Sequence, residues 1–174
     1  MQHKPSRTFR QWLGHLSLDV GDARRQLPEA ARLRLEARVQ ASEARHLGEL
    51  RVCIEASLSP SQLWQGVTAR QRAVELFSHL RVWDTEHNNG VLIYLLLAEH
   101  RIEVLADRGL MHKLDEQDHW EKLVAQLSGQ LQQQGLEAGL QTAIDQIGQL
   151  LQRHYPLVKG QANPNELPDS IVLL

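Results

Sequence analysis

The residues of this chain best suited to chemistry are polar side chains in three short stretches that are far apart in the sequence. They are Glu49, Asp84, Glu86, His87, Asn88, Asn89, Asp107 and Arg108. Carboxylate, amide and main-chain carbonyl oxygens are the ligands that Ca²⁺ and Mg²⁺ prefer in proteins. A guanidinium such as that of Arg108 binds phosphate or carboxylate groups with paired hydrogen bonds. If the fold brings the three stretches together, they predict a cation site or an anion-binding arginine.

A long apolar run, Val91 to Leu97, separates two of these stretches and predicts a central strand. Both of its alternating sets of side chains are apolar, which is typical of a strand covered on both faces. Ala98 to Arg101 reads as a turn, and Ile102 to Asp107 alternates apolar and charged residues, so the two strands form a predicted hairpin. Antiparallel pairing places the start of one strand beside the end of its partner. Asp84 to Asn89 should therefore lie beside Asp107.

The stretch Glu49 to Leu58 has a period of two and predicts another strand, with one face buried and the other partly polar. Two capping boxes follow it, in which Ser59 pairs with Gln62 and Thr68 pairs with Gln71. A strand, a helical segment and a strand in that order imply a right-handed crossover between parallel strands. The start of the first strand then lies at the same sheet edge as the other polar stretches.

Further helices are predicted on both sides of this unit. A helix after Pro28 carries a predicted apolar stripe, a helix capped by Asp115 follows the hairpin, and a last helix runs through Leu140 to Leu151. The stripe after Pro28 consists of Leu33, Ala37, Ala41 and Ala44. A short N-terminal helix capped by Ser6 carries Phe9, Trp12, Leu13 and Leu16 on one face, which fits a packing arm or a docking segment.

These elements predict a three-layer α/β/α sandwich whose small mixed sheet combines a parallel crossover and a β-hairpin. A length of 174 residues suits a single domain. We predict a helical arm over residues 1–27, an α/β domain over residues 28–156 and a flexible tail over residues 157–174. The last four residues, Ile171 to Leu174, are apolar and could dock on a partner or on the domain itself.

Composition excludes several classes of function. The formal net charge is −2, so no basic surface argues for nucleic-acid binding. No segment approaches the ~20 apolar residues of a membrane span, and no signal peptide is recognised, which predicts a cytoplasmic protein. The single cysteine, Cys53, reads as a small buried hydrophobe rather than a catalytic thiol. The histidines lack the spacing of zinc ligands, and no Walker, GxGxxG, GxSxG or CxxC motif is present, so no nucleotide, haem or iron–sulfur cofactor is expected.

The polar stretches also have a purely structural explanation. Asn and Asp commonly form turns and helix caps, Asn89-Gly90 is a frequent turn pair, and Arg108-Gly109 can end a strand. Spacing alone favours this explanation over a binding site. The residue types therefore predict a site only if the fold brings them together.

Three segments of the chain resemble the TPM-domain family, the phosphatase-like domain of thylakoid-lumen and bacterial proteins. They are GELRVCIEASL, ARQRAVELFSHLRVWDTEHNNGVLIYLLLAEHRIEVLADRGL and LLQRHYP. The resemblance extends from about Pro28 to Pro156 and implies an α/β/α sandwich. Two groups of residues match the family by position: the turn Asn88, Asn89 and Gly90 before the central strand, and the loop Asp107, Arg108 and Gly109 after its partner.

The resemblance implies two functions. Family members are associated with divalent-cation binding, acid-phosphatase activity, photosystem repair and membrane-protein assembly. The first reading is a non-catalytic or weakly catalytic module that binds Ca²⁺ or Mg²⁺ and contacts a membrane-associated protein partner. The alternative is a metal-assisted phosphatase with Asp107 and Arg108 as catalytic residues. The implied metal ligands are Asp84, Glu86, Asn88, Asn89 and Asp107. No residue stands out as a nucleophile, which favours the binding module.

Overall fold

The described residues form a four-stranded sheet with helices on both faces. The computed structural model describes residues 15, 18–114, 120–158, 160 and 163–174. The helices are α1 (Val20–Gln26), α2 (Glu29–Glu43), α3 (Pro60–Gln65), α4 (Ala69–His79), α5 (Arg108–Lys113), α6 (Trp120–Gln134) and α7 (Leu136–His154). The strands are β1 (Leu50–Glu55), β2 (Val91–Leu96), β3 (Arg101–Ala106) and β4 (Val172–Leu173). The predicted α/β sandwich is confirmed.

The strand order is β3-β2-β1-β4. β1 and β2 run parallel with Leu50 opposite Val91, and β3 runs antiparallel to β2 with Ala106 opposite Val91. The predicted hairpin and the parallel pairing are both confirmed. Leu50, Val91 and Ala106 therefore form one row across the sheet. The residues just before β1, just before β2 and just after β3 share the edge beyond that row.

One core lies on each face of the sheet. Side chains of α1, α2, α6 and α7 pack on one face, and side chains of α3 and α4 pack on the other. The capping boxes predicted for α3 and α4 are both present, Ser59 with Gln62 and Thr68 with Gln71. Every residue of β2 is buried, as its unbroken apolar sequence predicts.

β1 is more buried than its alternating sequence predicts, because its polar face is also covered. Arg51 is 8% exposed and Glu55 is 4% exposed. Arg51 donates to the Ser170 carbonyl oxygen at 2.8 Å, and Arg72 on α4 pairs with Glu55 at 3.0 Å. The buried Glu55 is thus paired with an arginine, and the Arg51 guanidinium is hydrogen-bonded to a main-chain carbonyl oxygen, which lowers the cost of burying these charges.

The apolar stripe predicted for α2 is wrong. Leu33 is 57% exposed, whereas the buried side of α2 includes Ala31, Leu35, Val39 and Ser42. This side packs mainly against α7 and includes a buried polar residue, because the Ser42 hydroxyl hydrogen-bonds His46 at 3.0 Å. The buried Ala31, Leu35 and Val39 recur every four residues, and so do the first three predicted residues of the exposed stripe, so helical spacing alone does not decide which of the two is buried.

Residues 163–174, predicted as a flexible tail, lie against the domain. Val172–Leu173 pairs in parallel with β1, and Leu174 donates its N–H to the Ile54 carbonyl oxygen at 3.0 Å. Ile171 is only 7% exposed. Of the two roles left open for Ile171 to Leu174, the structure shows docking on the domain itself. The Ser6 helix and the Asp115 cap lie outside the described residues.

Candidate functional site

The residues just before β1, just before β2 and just after β3 form the polar edge of the sheet. Asp107 is the first residue after β3. Its N–H donates to the Gly90 carbonyl oxygen at 2.9 Å, which continues the β2–β3 ladder by one pair. Its carboxylate atom Oδ1 accepts the Arg108 N–H at 2.6 Å as the N-cap of α5. The other oxygen, Oδ2, is buried and accepts no hydrogen bond from any described residue. One oxygen of this carboxylate is therefore left for a ligand.

Asn89 lies in the loop before β2, two residues before that strand begins, and is fully buried. Its N–H donates to the Thr85 hydroxyl at 3.1 Å, and its Nδ2 donates to the Leu47 carbonyl oxygen at 2.8 Å. These two bonds fix the amide. Its Oδ1 is buried and, within the described residues, accepts no hydrogen bond. Asn89 thus adds a second buried oxygen without a partner at the edge where Asp107 lies.

The loop before β2 contacts the first turn of α5 directly. Arg108 Nη2 donates to Asn88 Oδ1 at 3.3 Å. A Cβ added at Gly109 would lie 2.4 Å from the carbonyl oxygens of both His87 and Asn88, so only glycine fits there without movement. Asn88 has φ 50°, the left-handed region that asparagine tolerates better than most residues. The Asn-Asn-Gly motif before β2 and the Asp-Arg-Gly motif after β3 are therefore in direct contact.

Asp84 and Glu86 do not share this arrangement. Both are exposed, and Asp84 lies 3.9 Å from Arg81. The Glu86 backbone N–H donates to Glu166 Oε2 at 2.9 Å. Among the residues that the structure describes, no three His, Cys, Asp or Glu side chains are grouped so that they could hold a metal ion. A cation at this edge would need amide or carbonyl oxygens besides carboxylates.

Glu49, which precedes β1, reaches the same edge but is occupied by residues 163–174. It is 1% exposed, and its Oε2 accepts the Leu167 N–H at 3.0 Å. Burial raises the pKa of the Glu49 carboxyl, while hydrogen bonds from the backbone of Leu167 and Glu166 act to lower it. Its Oε1 is buried with no partner among the described residues.

Tyr155, the residue after α7, lies close enough to Asp107 to be affected by its charge. Burial, followed by the nearby charge of Asp107, raises the pKa of the Tyr155 hydroxyl. Lys113 Nζ lies 3.7 Å from the centroid of the Tyr155 ring and donates to the His154 carbonyl oxygen at 3.1 Å. The Tyr155 hydroxyl therefore lies within the electrostatic influence of Asp107.

Three groups of this edge were not predicted from sequence. The Thr85 hydroxyl and the Leu47 carbonyl oxygen orient Asn89, and Glu166 binds the loop at Glu86. Leu47 and Glu166 act across long sequence separations, so no local pattern could identify them. Thr85 offers a weak local indication, because a hydroxyl shortly before an asparagine commonly closes a turn.

Cys53 and Ser42, two residues with nucleophilic side chains, are buried. Cys53 is fully buried, and burial raises the pKa of its thiol to about 12, which confirms the prediction of a small buried hydrophobe. The Ser42 hydroxyl contacts His46 Nε2 at 3.0 Å, and His46 Nδ1 contacts the Gly48 carbonyl oxygen at 2.9 Å. His46 is fully buried, and burial lowers its pKa to about 4. This serine and histidine stabilise the packing of α2 and are closed to a substrate.

The donor set at the polar edge fits a hard cation better than a soft one. Its buried oxygens without a partner among the described residues are carboxylate oxygens of Asp107 and Glu49 and the amide oxygen of Asn89, and oxygen donors suit Ca²⁺ or Mg²⁺. Asn88 is less suited, because its amide oxygen already accepts from the Arg108 guanidinium. The exposed Arg108 can instead bind an anionic group. The same sheet edge therefore carries both oxygen donors and one cationic side chain.

Comparisons with known proteins agree with this architecture. A model of the TPM domain matches residues 20–150 of the chain. The NMR structure of BA42 protein from the psychrophilic bacterium Bizionia argentinensis superimposes with a TM-score of 0.72 over 84% of this chain and 94% of that one, at 23% sequence identity. A search of curated proteins finds no match. None of the helices in the described part of the chain is long and apolar enough to cross a membrane.

Proposed function

From the premise that the chain belongs to the TPM-domain family, we propose that its polar sheet edge is a binding site for a hard divalent cation and that the domain acts as a binding module. Asp107 and Asn89 would hold the cation. The observation that carries the proposal is the pair of buried oxygens, Asp107 Oδ2 and Asn89 Oδ1, which accept no hydrogen bond from the described residues. Buried polar atoms normally have partners, so two such atoms at one edge call for a ligand.

The side chains of Asp84 and Glu86 are left out of the proposed donor set. Both are exposed, and Asp84 has Arg81 beside it at 3.9 Å. Backbone carbonyl oxygens and water would complete the coordination shell, which is common for Ca²⁺ and Mg²⁺. When bound, the cation would supply positive charge that neutralises Asp107 and ties the β2–β3 edge together.

A thermal-shift titration tests this proposal. Purified protein is titrated with Ca²⁺ and with Mg²⁺, in parallel with Asp107→Asn and Asp84→Asn. A cation that binds only the folded state raises the melting temperature in a saturable way. The proposal predicts that this rise is lost in Asp107→Asn and retained in Asp84→Asn. A rise that survives in Asp107→Asn would contradict it.

A metal-assisted phosphatase is the second candidate, and one observation favours it. Arg108 is exposed and lies beside Asn88 at 3.3 Å, so its guanidinium could bind a phosphoryl group next to Asp107. The bound cation would supply further charge stabilisation. Turnover of a phosphate monoester that is lost in both Asp107→Asn and Arg108→Ala, with the fold intact, would establish the enzyme. Absence of turnover in the cation-loaded wild type would leave the binding module.

We further propose that the protein is cytoplasmic and supports the assembly of membrane proteins. This more specific proposal rests on the family resemblance. Its partner would be a membrane-associated protein. The contact would not use Ile171, which is 7% exposed. Capture of such a partner by wild type and by Arg108→Ala alike would support a binding role that is separate from catalysis. Loss of capture in Arg108→Ala would instead tie the partner to the polar edge.

A further inference from the structure

Residues 163–174, which we call the C-terminal segment, contact the polar edge although they lie beyond the TPM-domain match, which ends at residue 150. Val172–Leu173 of this segment pairs in parallel with β1. Closer to the polar edge, the Leu167 N–H donates to Glu49 Oε2 at 3.0 Å. The C-terminal segment is therefore a part of this chain outside the matched domain that holds one of the carboxylates of the edge.

Glu49 lies in line with Asp107 across the sheet. The Val91 N–H donates to the Glu49 carbonyl oxygen at 2.8 Å, and the Asp107 N–H donates to the Gly90 carbonyl oxygen at 2.9 Å. These bonds continue both ladders by one residue, so Glu49, Gly90 and Asp107 form one row. The outer positions of a row across three strands are about 9–10 Å apart. Because a carboxylate side chain can reach inward from each position, one cation can contact both.

The middle of this row holds a main-chain oxygen in place of a side chain. Gly90 has no Cβ, and a Cβ added there would lie 1.9 Å from the Val82 carbonyl oxygen. Side chains of one row project from the same face of a sheet. The Val82 carbonyl oxygen therefore lies between the positions of Glu49 and Asp107. Carboxylate and main-chain carbonyl oxygens are the ligands that bind Ca²⁺ and Mg²⁺.

The three buried oxygens of the edge share one arrangement, because each belongs to a side chain whose other polar atom is already hydrogen-bonded. For Asp107 and Asn89 the partner lies inside the matched domain. For Glu49 it is Leu167 of the C-terminal segment, which binds Oε2. Glu49 Oε1 stays buried, with no partner among the described residues. The C-terminal segment thus orients Glu49 with one oxygen left for a ligand.

The C-terminal segment also brings negative charge to Glu49. Burial, and then the charges of Glu166 and Asp169, act to raise the pKa of the Glu49 carboxyl, against the backbone hydrogen bonds that act to lower it. Glu166 Oε2 further accepts the Glu86 N–H at 2.9 Å, which ties the segment to the loop before β2. Like charges oppose docking of the segment while Glu49 is ionised. A cation bound by Glu49 removes this opposition.

We propose that the C-terminal segment orients Glu49 as a further oxygen ligand of the cation site, so that the cation and the docked segment stabilise each other. This inference rests on the proposed function, because it requires a cation at the polar edge. Coupling between two binding events is reciprocal. A bound cation must then hold the segment more firmly, and a loosened segment must weaken cation binding.

Hydrogen–deuterium exchange of the full chain, followed by mass spectrometry, tests the first consequence. The chain is compared without cation and with Ca²⁺ or Mg²⁺, whichever calorimetry shows to bind. The N–H groups of Leu167, Ile171 and Leu174 are hydrogen-bonded in the docked segment and exchange when it detaches locally. We expect the cation to slow their exchange about fivefold or more, a usual size for such coupling. α6, which packs on β3 at the other side of the sheet, is the internal control and should change less.

Glu49→Gln tests the ligand itself, because glutamine keeps an oxygen that can accept the Leu167 N–H but removes the charge. We expect its cation affinity to fall about tenfold or more, since affinity for Ca²⁺ depends on the number of charged ligands. The slowing of exchange should shrink with it. Glu86→Gln makes the same change at an exposed position of the same edge and is expected to keep both responses.

Ile171→Ala tests the second consequence away from the edge and serves if Glu49→Gln fails to fold. It should speed exchange in the C-terminal segment and weaken cation binding, because only the docked fraction binds well. Leu127→Ala, a buried substitution in α6, is the matched control and should leave the affinity unchanged. Faster exchange in Ile171→Ala beside an unchanged affinity overturns the coupling.

The outcomes separate this inference from the proposed function. A wild type that binds no cation overturns both. Binding that is lost in Asp107→Asn, while exchange of the C-terminal segment is the same with and without cation, overturns the coupling alone. Equal affinity of wild type and folded Glu49→Gln removes Glu49 as a ligand and overturns the inference in the same way.

Discussion

The Asp107 N–H donates to the Gly90 carbonyl oxygen at 2.9 Å, so the residue after β3 meets the residue before β2. This single pair brings Asp107 to the loop that carries Asn89. Asp107 is held by this ladder pair and by its role as the N-cap of α5, and Asn89 is held by its hydrogen bonds to Thr85 and Leu47. The fold therefore holds both side chains in defined positions at this edge.

Gly109→Ala should destabilise the protein. A Cβ at this position would lie 2.4 Å from two backbone carbonyl oxygens, those of His87 and Asn88, which cannot move aside as a flexible side chain could. We expect the free energy of unfolding to fall by about 1–3 kcal/mol, as for other overpacked positions. Urea denaturation followed by circular dichroism measures this change.

The matched control is Gly129→Ala in α6, where an added Cβ meets nothing within 4 Å. Replacing a glycine inside a helix by alanine normally gains about 0.5–1 kcal/mol. Equal losses of stability in the two variants would mean that the loop does not contact α5 as described.

The buried carboxyl group of Glu43 should make the stability of the protein fall as the pH rises. It is 6% exposed, and burial raises its pKa from 4.5 to about 9, with the nearby carboxylates of Glu49 and Asp169 adding to the effect. Between these two pH values the folded state holds a proton that the unfolded chain has released, so each rise in pH favours unfolding. The slope is at most about 1.4 kcal/mol per pH unit.

Urea titrations at pH 6, 7 and 8 on wild type and Glu43→Gln measure this contribution. The glutamine can still accept the Leu50 N–H, which Glu43 Oε1 accepts at 2.7 Å. We expect the variant to gain stability relative to wild type as pH rises. Glu29→Gln, at an exposed position on the same helix, controls for loss of charge. Parallel pH curves for wild type and Glu43→Gln would contradict a buried, protonated Glu43.

Ile171→Ala should destabilise the whole domain if residues 163–174 are part of it. Ile171 is 7% exposed, and its N–H donates to Glu36 Oε1 at 3.0 Å. Replacing a buried isoleucine by alanine typically costs about 2–4 kcal/mol. Val158→Ala, at a position 64% exposed, should cost little. Denaturant midpoints that fall equally for both variants, or for neither, would contradict the packing of Ile171.

Much of the fold could be predicted from sequence because local patterns and packing agree. The apolar run of β2, the hairpin and the two capping boxes each carry a pattern that a few neighbouring residues determine. β4 could not be predicted, because Val172–Leu173 is too short to show a period and is defined only by its pairing with β1. The buried side of α2 was misplaced because two stripes of this helix, one with Leu33 and one with Leu35, have apolar residues at the same four-residue spacing.

The candidate site was predicted only in part, for a similar reason. The topology correctly brought Asn88, Asn89, Asp107 and Arg108 to one edge. It could not show that Asp84 and Glu86 are exposed, since the path of their loop depends on contacts with Leu47 and Glu166, which are distant in sequence. The residue types were enough to predict which sheet edge is polar. Which side chains of that edge are buried depends on tertiary contacts that the sequence does not show.

The measurement that tests the central claim most directly is isothermal titration calorimetry of the folded protein with Ca²⁺ and with Mg²⁺. Asp107→Asn is the informative variant, because asparagine still caps a helix while the carboxylate charge is removed. We predict one saturable site in wild type, retained in Asp84→Asn and lost in Asp107→Asn. Absence of binding in folded wild type, or equal binding by Asp107→Asn, would contradict a cation site at this edge.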